Sequence, residues 1–157
     1  MRARTLALIL LLPLLAACGG TDAPAPRATR TIVTTETPQP APTIEGKPVQ
    51  FSTAGGNVAC DLQPAFVECQ VRTHTWPSPK KPSDCHNSWG TRVQVAVGTK
   101  GEFICWFGES LLGAKRVLPT GEALKVGLVT CRAVSGGVQC SAEGHGFTLT
   151  KATYRLT

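Results

Sequence analysis

The sequence predicts a small, mainly antiparallel all-β domain stapled by disulfide bonds, a sandwich or barrel-like fold with two cysteine-bridged hairpins. One observation is a pattern that occurs twice, Gly-x-Val-x-Cys-x6-Val-x-Cys, at residues 56–69 and, 71 positions later, at residues 127–140. Another is the period-two alternation of apolar and polar residues within each copy, which is typical of a β-hairpin. A third is the set of six cysteines after residue 18, which suits a short exported chain with three bridges.

The first 17 residues predict an export signal. Arg2 and Arg4 precede an apolar run over residues 6–15, which is shorter than the roughly 20 residues that span a membrane. The run ends in Ala16-Ala17-Cys18. This is similar to the lipobox of bacterial lipoproteins, in which the cysteine is lipidated and becomes the first mature residue. We therefore expect a lipid, such as palmitate, on Cys18. The alternative is a plain secretory signal that leaves Cys18 as an odd thiol.

Residues 18–47 predict a tether between this lipidated cysteine and the domain. The segment is rich in proline, threonine and alanine and nearly lacks large apolar side chains, so it cannot bury enough surface to offset its ordering entropy. A chain of this length spans about 30 Å as a flexible coil and about 90 Å as extended polyproline. We expect it to hold a domain of residues 48–157 away from the outer face of the cytoplasmic membrane.

The repeated hairpins select a disulfide pairing. Six cysteines allow about fifteen pairings by counting alone. Each hairpin places its own two cysteines opposite each other, and the remaining two pair by remainder, which predicts Cys60–Cys69, Cys131–Cys140 and Cys85–Cys105. There is no Cys-x2-Cys pair and no histidine pair at ligand spacing, so we expect neither a metal site nor a cofactor.

The remaining elements follow from the same alternation. Between the hairpins, three prolines in six residues exclude helix and central strand and predict a long irregular loop around residues 73–91. Gly113 weakens the one stretch with helical character, residues 110–117. Strands are predicted at residues 49–52, 58–60, 67–71, 92–97, 102–107, 121–126, in the second hairpin, and in a final alternating run at 148–156.

Three groups of side chains are candidates for function. In the first hairpin the predicted register sets Asp61 opposite Glu68 on the outer side, either as a solvated pair or as a catalytic or metal-binding one. Trp76, Trp89 and Trp106 form a possible ligand surface, since aromatic faces supply large contact area. The alternative is that they pack around the Cys85–Cys105 bridge.

His145, which lies between two glycines, is the strongest single candidate for a catalytic residue. A histidine on a tight turn can act as a general base near neutral pH. A base needs a nucleophile partner, and no serine in the sequence carries a nucleophile signature. The competing interpretation is a structural turn in which the imidazole bonds to nearby backbone.

The chain carries a formal charge of +6, which falls to +4 once Arg2 and Arg4 leave with the signal. The basic residues are dispersed, which indicates a soluble surface with mild attraction to anionic lipids or wall polymers. We expect no nucleic-acid partner in an exported compartment, and no binding motif is present.

Several of these segments together resemble a secreted domain of unknown function that is common in actinobacteria, including mycobacteria. The resemblance covers residues 50–157 and rests on Gly55-Gly56-Asn57-Val58-Ala59-Cys60, Val67-Glu68-Cys69, Trp89-Gly90, Phe103-Ile104-Cys105, Gly137-Val138-Gln139-Cys140 and Gly144-His145-Gly146-Phe147. It implies an exported, six-cysteine domain that often has a signal peptide or lipid anchor. It implies no activity.

The sequence therefore predicts a lipid-anchored envelope protein that displays a binding or accessory module. We expect its contact with a cell-wall glycan or envelope protein to lie on the loop from Trp76 to Trp89. The alternatives are a small secreted hydrolase centred on His145 and a mainly structural lipoprotein. An enzyme requires His145 in a cleft beside a hydroxyl or carboxylate, whereas a binding module requires solvent-exposed tryptophans.

Overall fold

The structure, a computed structural model, describes residues 47–157. The predicted signal at residues 1–17, the lipidation site at Cys18 and nearly all of the predicted tether lie outside the described residues. The described part of the chain folds as eleven strands. It holds no helix long and apolar enough to cross a membrane.

Six strands form the first sheet. Their bounds are β1 Val49–Thr53, β2 Val58–Leu62, β3 Phe66–Val71, β4 Arg92–Ala96, β5 Glu102–Phe103 and β6 Val117–Leu118. The spatial order is β5-β4-β3-β2-β1-β6. Neighbours are antiparallel, except that β6 pairs with β1 in parallel. A parallel pair requires a crossover connection, and the chain supplies it by running over the sheet between β5 and β6.

Five strands form the second sheet. Their bounds are β7 Ala123–Val126, β8 Val129–Val134, β9 Gly137–Ala142, β10 His145–Thr150 and β11 Tyr154–Leu156. They follow one another as an antiparallel meander in the order β11-β10-β9-β8-β7. Short turns join them, and the turn between β9 and β10 places Glu143 and Gly144 at positive φ angles of 44° and 85°. This backbone twist is typical of tight hairpins.

The core contains the apolar side chains of both sheets. Alternation along each strand turns one set of residues inward, as in the buried-intermediate repeat of β8. Val58, Val67, Val129 and Val138, the four valines of the repeated pattern, are all 0% exposed. The predicted fold class, a small disulfide-stapled all-β domain with two cysteine-bridged hairpins, is confirmed.

Two disulfides touch at the centre of this core. Cys60 lies opposite Cys69 on β2 and β3, and Cys131 lies opposite Cys140 on β8 and β9. The Cα atoms within each pair are 4.0 and 4.1 Å apart. The Sγ atoms of Cys69 and Cys140 approach to 3.9 Å. The repeated pattern thus places one bridge in each sheet, and the two bridges pack against each other.

The structure differs from the predicted strands chiefly in two places. The strand from residue 102 ends at Phe103, because Cys105 is bonded to Cys85 and Trp106 pairs as an isolated bridge with Ser88. Residues 110–117, whose helical character Gly113 weakens, form no helix. The final run of 148–156 is two strands, since the Thr150 hydroxyl bonds the backbone around residue 153 and closes a turn.

The segment of residues 106–116, which we name the strap, crosses the outer face of the first sheet. The side chain of Gln70 holds it: its Oε1 accepts hydrogen bonds from Leu111 N, Ser110 Oγ and Arg92 Nη2 at 2.9, 3.1 and 3.0 Å. Ser52 Oγ donates to the Ala114 carbonyl at 3.3 Å. The strap therefore covers one row of that outer face, over Ser52, Gln70 and Arg92.

Candidate functional site

A groove of about 460 Å³ opens between the predicted ligand loop, residues 76–89, and strand β5. We name it the aromatic groove. It is lined by Pro82, Asp84, Cys85, Trp89, Glu102, Phe103, Ile104 and Cys105. One wall therefore comes from the loop and the other from the β5 edge of the first sheet, and the Cys85–Cys105 bridge joins the two walls.

Local bonds fix the loop that forms one wall. The Cys85–Cys105 bridge joins it to the segment after β5 with a Cα–Cα distance of 5.5 Å. Trp89 Nε1 donates to the Pro79 carbonyl at 2.9 Å, and Lys81 Nζ donates to the Asn87 carbonyl at 2.8 Å. Prolines restrict the backbone further. A loop held in this way loses little conformational freedom when a ligand binds, which favours affinity.

The groove combines aromatic surface with acidic groups. Trp89 is half-buried, and its ring lies 6.2 Å from that of Phe103, which is itself 9% exposed. Asp84 and Glu102 are exposed at the rim. Flat apolar surface beside a few polar groups is the usual composition of a small-molecule site. This groove can therefore hold a ring with an apolar face and hydroxyl or amino groups at its edge.

Trp76 is not part of an exposed surface, and the expectation that it belongs to one is wrong. Its side chain is 8% exposed, and Nε1 donates to the Thr150 carbonyl at 3.0 Å. The ring stacks on His74 at 3.6 Å and meets the edge of Tyr154 at 4.8 Å. Because its polar atom is bonded and its ring packs against His74 and Tyr154, Trp76 is a core residue that ties the loop to β10.

Trp106 is also separate from the groove. It is half-buried at the start of the strap, where its ring lies 4.1 Å from the guanidinium carbon of Arg92. Its Nε1 donates to Thr91 Oγ1 at 3.3 Å. None of the three tryptophans predicted as a ligand surface is fully exposed: Trp76 is buried, and Trp89 and Trp106 are half-buried. Trp89 alone lines the groove.

The predicted register of Asp61 and Glu68 is observed: they are direct partners on the outer side of β2 and β3. Glu68 Oε1 lies 3.6 Å from Nη1 of the buried Arg92. Burial raises the pKa of Glu68. The positive charge of Arg92 partly offsets this rise, and the negative charge of Asp61 adds to it. Asp61 accepts a hydrogen bond from Gln63 Nε2 at 2.8 Å.

Arg92 connects this pair to the strap. Burial lowers the pKa of its guanidinium, and the charges of Glu68 and Asp61 act in the opposite direction. Its Nη2 donates to Gln70 and to the Glu109 carbonyl at 2.9 Å, while its Nε has no hydrogen-bond partner within residues 47–157. These contacts give Glu68 and Arg92 a structural role in seating the strap.

His145 begins strand β10 and lines a second concavity, of about 420 Å³, on the second sheet. We name it the polar hollow. Gln139, Ser141, Thr148 and Arg155 line it as well. Within the described residues, no hydrogen bond joins the imidazole to a hydroxyl or a carboxylate, so the observed arrangement supplies no base–nucleophile pair.

The described residues contain one group of three potential metal ligands at close range, Cys60, Cys69 and Cys140. All three sulfurs belong to disulfides. A sulfur that is bonded to another sulfur is not a thiolate and cannot serve as a ligand in the usual way.

The sequence did not reveal two residues of the groove, Asp84 and Glu102. They are 18 positions apart and carry no motif. Their signal was their position near the two ends of a predicted bridge, since Asp84 precedes Cys85 and Glu102 stands three residues before Cys105. Residues near both ends of one disulfide are brought together in space, so the bridge could have identified them.

No protein-family model matches the chain, and the searches of curated proteins and of solved structures likewise returned no match.

Proposed function

We propose that this protein is an exported, lipid-anchored envelope protein whose β domain binds a cell-wall glycan in the aromatic groove. The observation that carries the proposal is the groove itself, in which the half-buried Trp89 of the disulfide-closed loop lies near two exposed carboxylates, Asp84 on the loop and Glu102 on β5. The three disulfides favour an oxidising compartment outside the cytoplasm. The lipobox-like Ala16-Ala17-Cys18 supports the anchor.

The chemistry of the groove favours a neutral or amino-bearing sugar. An aromatic ring offers a flat apolar surface to the C–H groups of a sugar ring. Ionised carboxylates are acceptors only, so Asp84 and Glu102 suit hydroxyl or ammonium donors. The same charges repel phosphate and carboxylate ligands at close range. We therefore expect amino-sugar fragments of wall glycan to bind, and acidic wall polymers to be excluded from this groove.

The alternatives have less support in the geometry. A hydrolase centred on His145 needs a positioned nucleophile, and none bonds to this imidazole among residues 47–157. An envelope protein as partner would call for a broader contact, since specific protein interfaces bury about 800 Å² on each partner. A purely structural lipoprotein does not account for a disulfide-fixed groove in which the half-buried Trp89 lies near two exposed carboxylates.

The binding proposal is tested by calorimetric titration. The chain from residue 18, carrying Cys18→Ser and exported in oxidised form, is titrated with soluble, amino-sugar-containing wall fragments. We expect Trp89→Ala and Glu102→Gln each to weaken binding by about tenfold or more, as for a residue at the centre of a contact. Phe107→Ala is the matched control, because Phe107 is 81% exposed and lies outside the groove.

Equal binding by Trp89→Ala and the unchanged chain would overturn the proposal. Urea unfolding of each variant separates a lost site from a lost fold, and Glu102→Gln serves if the tryptophan variant is unstable. Hydrolysis of the fragments that disappears in His145→Ala would favour the enzyme instead.

The anchor is tested separately by labelling cells with a radioactive fatty acid. We expect label on the full chain and none on Cys18→Ser. Label that persists in the variant would contradict the predicted lipidation site.

A further inference from the structure

The outer face of the first sheet carries a row of acidic and amide side chains. Five consecutive partners cross β1 to β5 in register: Gln50, Asp61, Glu68, Gln94 and Glu102. All five are exposed or half-buried. We name this set the acidic row. It runs beside the strap, which covers the next row of the same face.

The outer face of the second sheet carries a row of opposite charge. Four consecutive partners cross β8 to β11: Arg132, Gln139, Thr148 and Arg155. Each is exposed or half-buried. We name this set the basic row. The one ion pair among residues 47–157 joins Arg92 to Glu68, so neither arginine of the basic row has a carboxylate partner within the described part of the chain.

The charges in the two rows have the same spacing. Asp61 and Glu102 are separated by three strand-to-strand steps, and so are Arg132 and Arg155. Neighbouring strands lie about 4.8 Å apart, which gives about 14 Å in each case. The residues between them are a carboxylate and amide in one row and an amide and hydroxyl in the other, which can form hydrogen bonds with each other.

The shapes of the two faces are also complementary, since one carries a ridge and the other a depression. On the first face the strap stands over the row that contains Gln70, which is two residues beyond Glu68 along β3. On the second face the polar hollow includes Ser141 and Gly146, and Ser141 is two residues beyond Gln139 along β9. A ridge therefore lies beside the acidic row. The depression is lined by Gln139, Thr148 and Arg155 of the basic row and extends from that row to the same side.

The orientation of a contact between the two faces follows from the repeat. The hairpin pair Asp61 and Glu68 corresponds, 71 residues later, to Arg132 and Gln139. Seen from solvent with β2 and β8 pointing the same way, the two faces therefore have their strands in the same left-to-right order. Turning one copy about the strand direction, so that its face meets the other, reverses that order. When the strap enters the hollow, Asp61 meets Arg155 and Glu102 meets Arg132.

We propose that a second copy of this chain docks its basic row on the acidic row of the first, with the strap of one copy in the polar hollow of the next. The contact uses a different face on each copy, so it leaves one free face at each end and continues head to tail. Exposed charge pairs are weak and screened by salt. We therefore expect a dissociation constant on the order of 0.1–1 mM at low salt.

The test is sedimentation equilibrium of the chain from residue 18 with Cys18→Ser, without any glycan, so that its outcome is independent of the groove proposal. We expect concentration-dependent association that weakens about tenfold between low and high salt. Asp61→Lys/Glu102→Lys and Arg132→Glu/Arg155→Glu should each remove it, and mixing the two double variants should restore it. Lys80→Glu/Lys151→Glu is the control with the same change of net charge as the arginine variant, since both lysines are exposed and lie outside the two rows.

Monomeric behaviour of the unchanged chain at about 1 mM in low salt overturns the proposal, since that concentration reaches the upper end of the expected range of dissociation constants and a large fraction of the chains would then be associated. Association that persists in both charge-reversed double variants also overturns it. The same holds if the lysine control weakens association as much as the arginine variant does. Binding of anionic lipid vesicles through Arg132 and Arg155 without self-association would assign the basic row to a membrane surface and also overturn it. Oxidised mass and urea unfolding confirm that each variant is folded.

Discussion

Removal of the Cys131–Cys140 bridge by alanine substitution should destabilise the domain more than removal of Cys85–Cys105. A ring that closes over a sequence separation of 9 contributes about 2.6 kcal/mol by the chain-entropy relation. Both cysteines are at most 1% exposed, and the Cys140 sulfur packs against the other core bridge. Deleting two buried atoms leaves a void that costs roughly 2 kcal/mol more. The expected loss is about 4–5 kcal/mol.

The variant Cys85→Ala/Cys105→Ala separates the contribution of ring size from that of core packing. That ring closes over a separation of 20, so chain entropy alone gives about 3.3 kcal/mol, more than for the core bridge. Cys85 is 6% exposed and Cys105 is exposed, so little void is expected. If ring size decides the loss of stability, removal of Cys85–Cys105 will lower the free energy of unfolding more. If core packing decides it, removal of Cys131–Cys140 will lower it more.

The assay is urea unfolding of the oxidised chain from residue 18 with Cys18→Ser, followed by far-ultraviolet circular dichroism. The free energy of unfolding comes from the midpoint and slope, and unchanged slopes are needed for the comparison. Cys60→Ala/Cys69→Ala should behave like the variant of its partner bridge. An equal or smaller loss for Cys131→Ala/Cys140→Ala than for Cys85→Ala/Cys105→Ala would refute the role given to the stacked core bridges.

Three further substitutions test other contacts. Burial raises the pKa of Glu68 above its ordinary value of 4.5, so ionisation of this carboxyl lowers the free energy of unfolding as the pH rises through its pKa. In urea unfolding, Glu68→Gln should therefore lose less of this free energy between about pH 4 and pH 7 than the unchanged chain. Identical pH profiles would contradict this. Gln70→Leu leaves the Leu111 N–H unbonded and should cost about 1–3 kcal/mol, with faster proteolysis of the strap; unchanged cleavage would argue against the anchor. Gly101→Ala sets a Cβ against the Gly146 carbonyl and should cost about 1–3 kcal/mol in thermal unfolding; a neutral effect would contradict the close approach.

The two hairpins could be predicted from sequence because their determinants are local. Period-two valines, a short polar turn and two cysteines at equal distance from it specify both the register and the bridge. The glycine that opens each copy also has a physical reason, since Gly56 and Gly127 have φ angles of 66° and 56°. Such positive angles are accessible to glycine at little cost.

The assembly of the sheets could not be predicted in the same way. The parallel pairing of β6 with β1 and the path of the strap depend on Gln70, whose partners lie 40 and 41 residues away. The burial of Trp76 depends on the Thr150 carbonyl, 74 residues distant. An aromatic ring with a polar tip suits a surface or a core equally well, so its place is decided by contacts that no local pattern encodes.

The most direct test of glycan binding is an amide NMR titration of the isotope-labelled chain with a soluble amino-sugar wall fragment. We expect the largest shift changes at Asp84, Cys85, Trp89 and Glu102, with saturation at one fragment for each chain. The amides around the polar hollow should stay unchanged. Shifts confined to the hollow near His145, or no shifts at millimolar fragment, would contradict the assignment of the aromatic groove as the binding site.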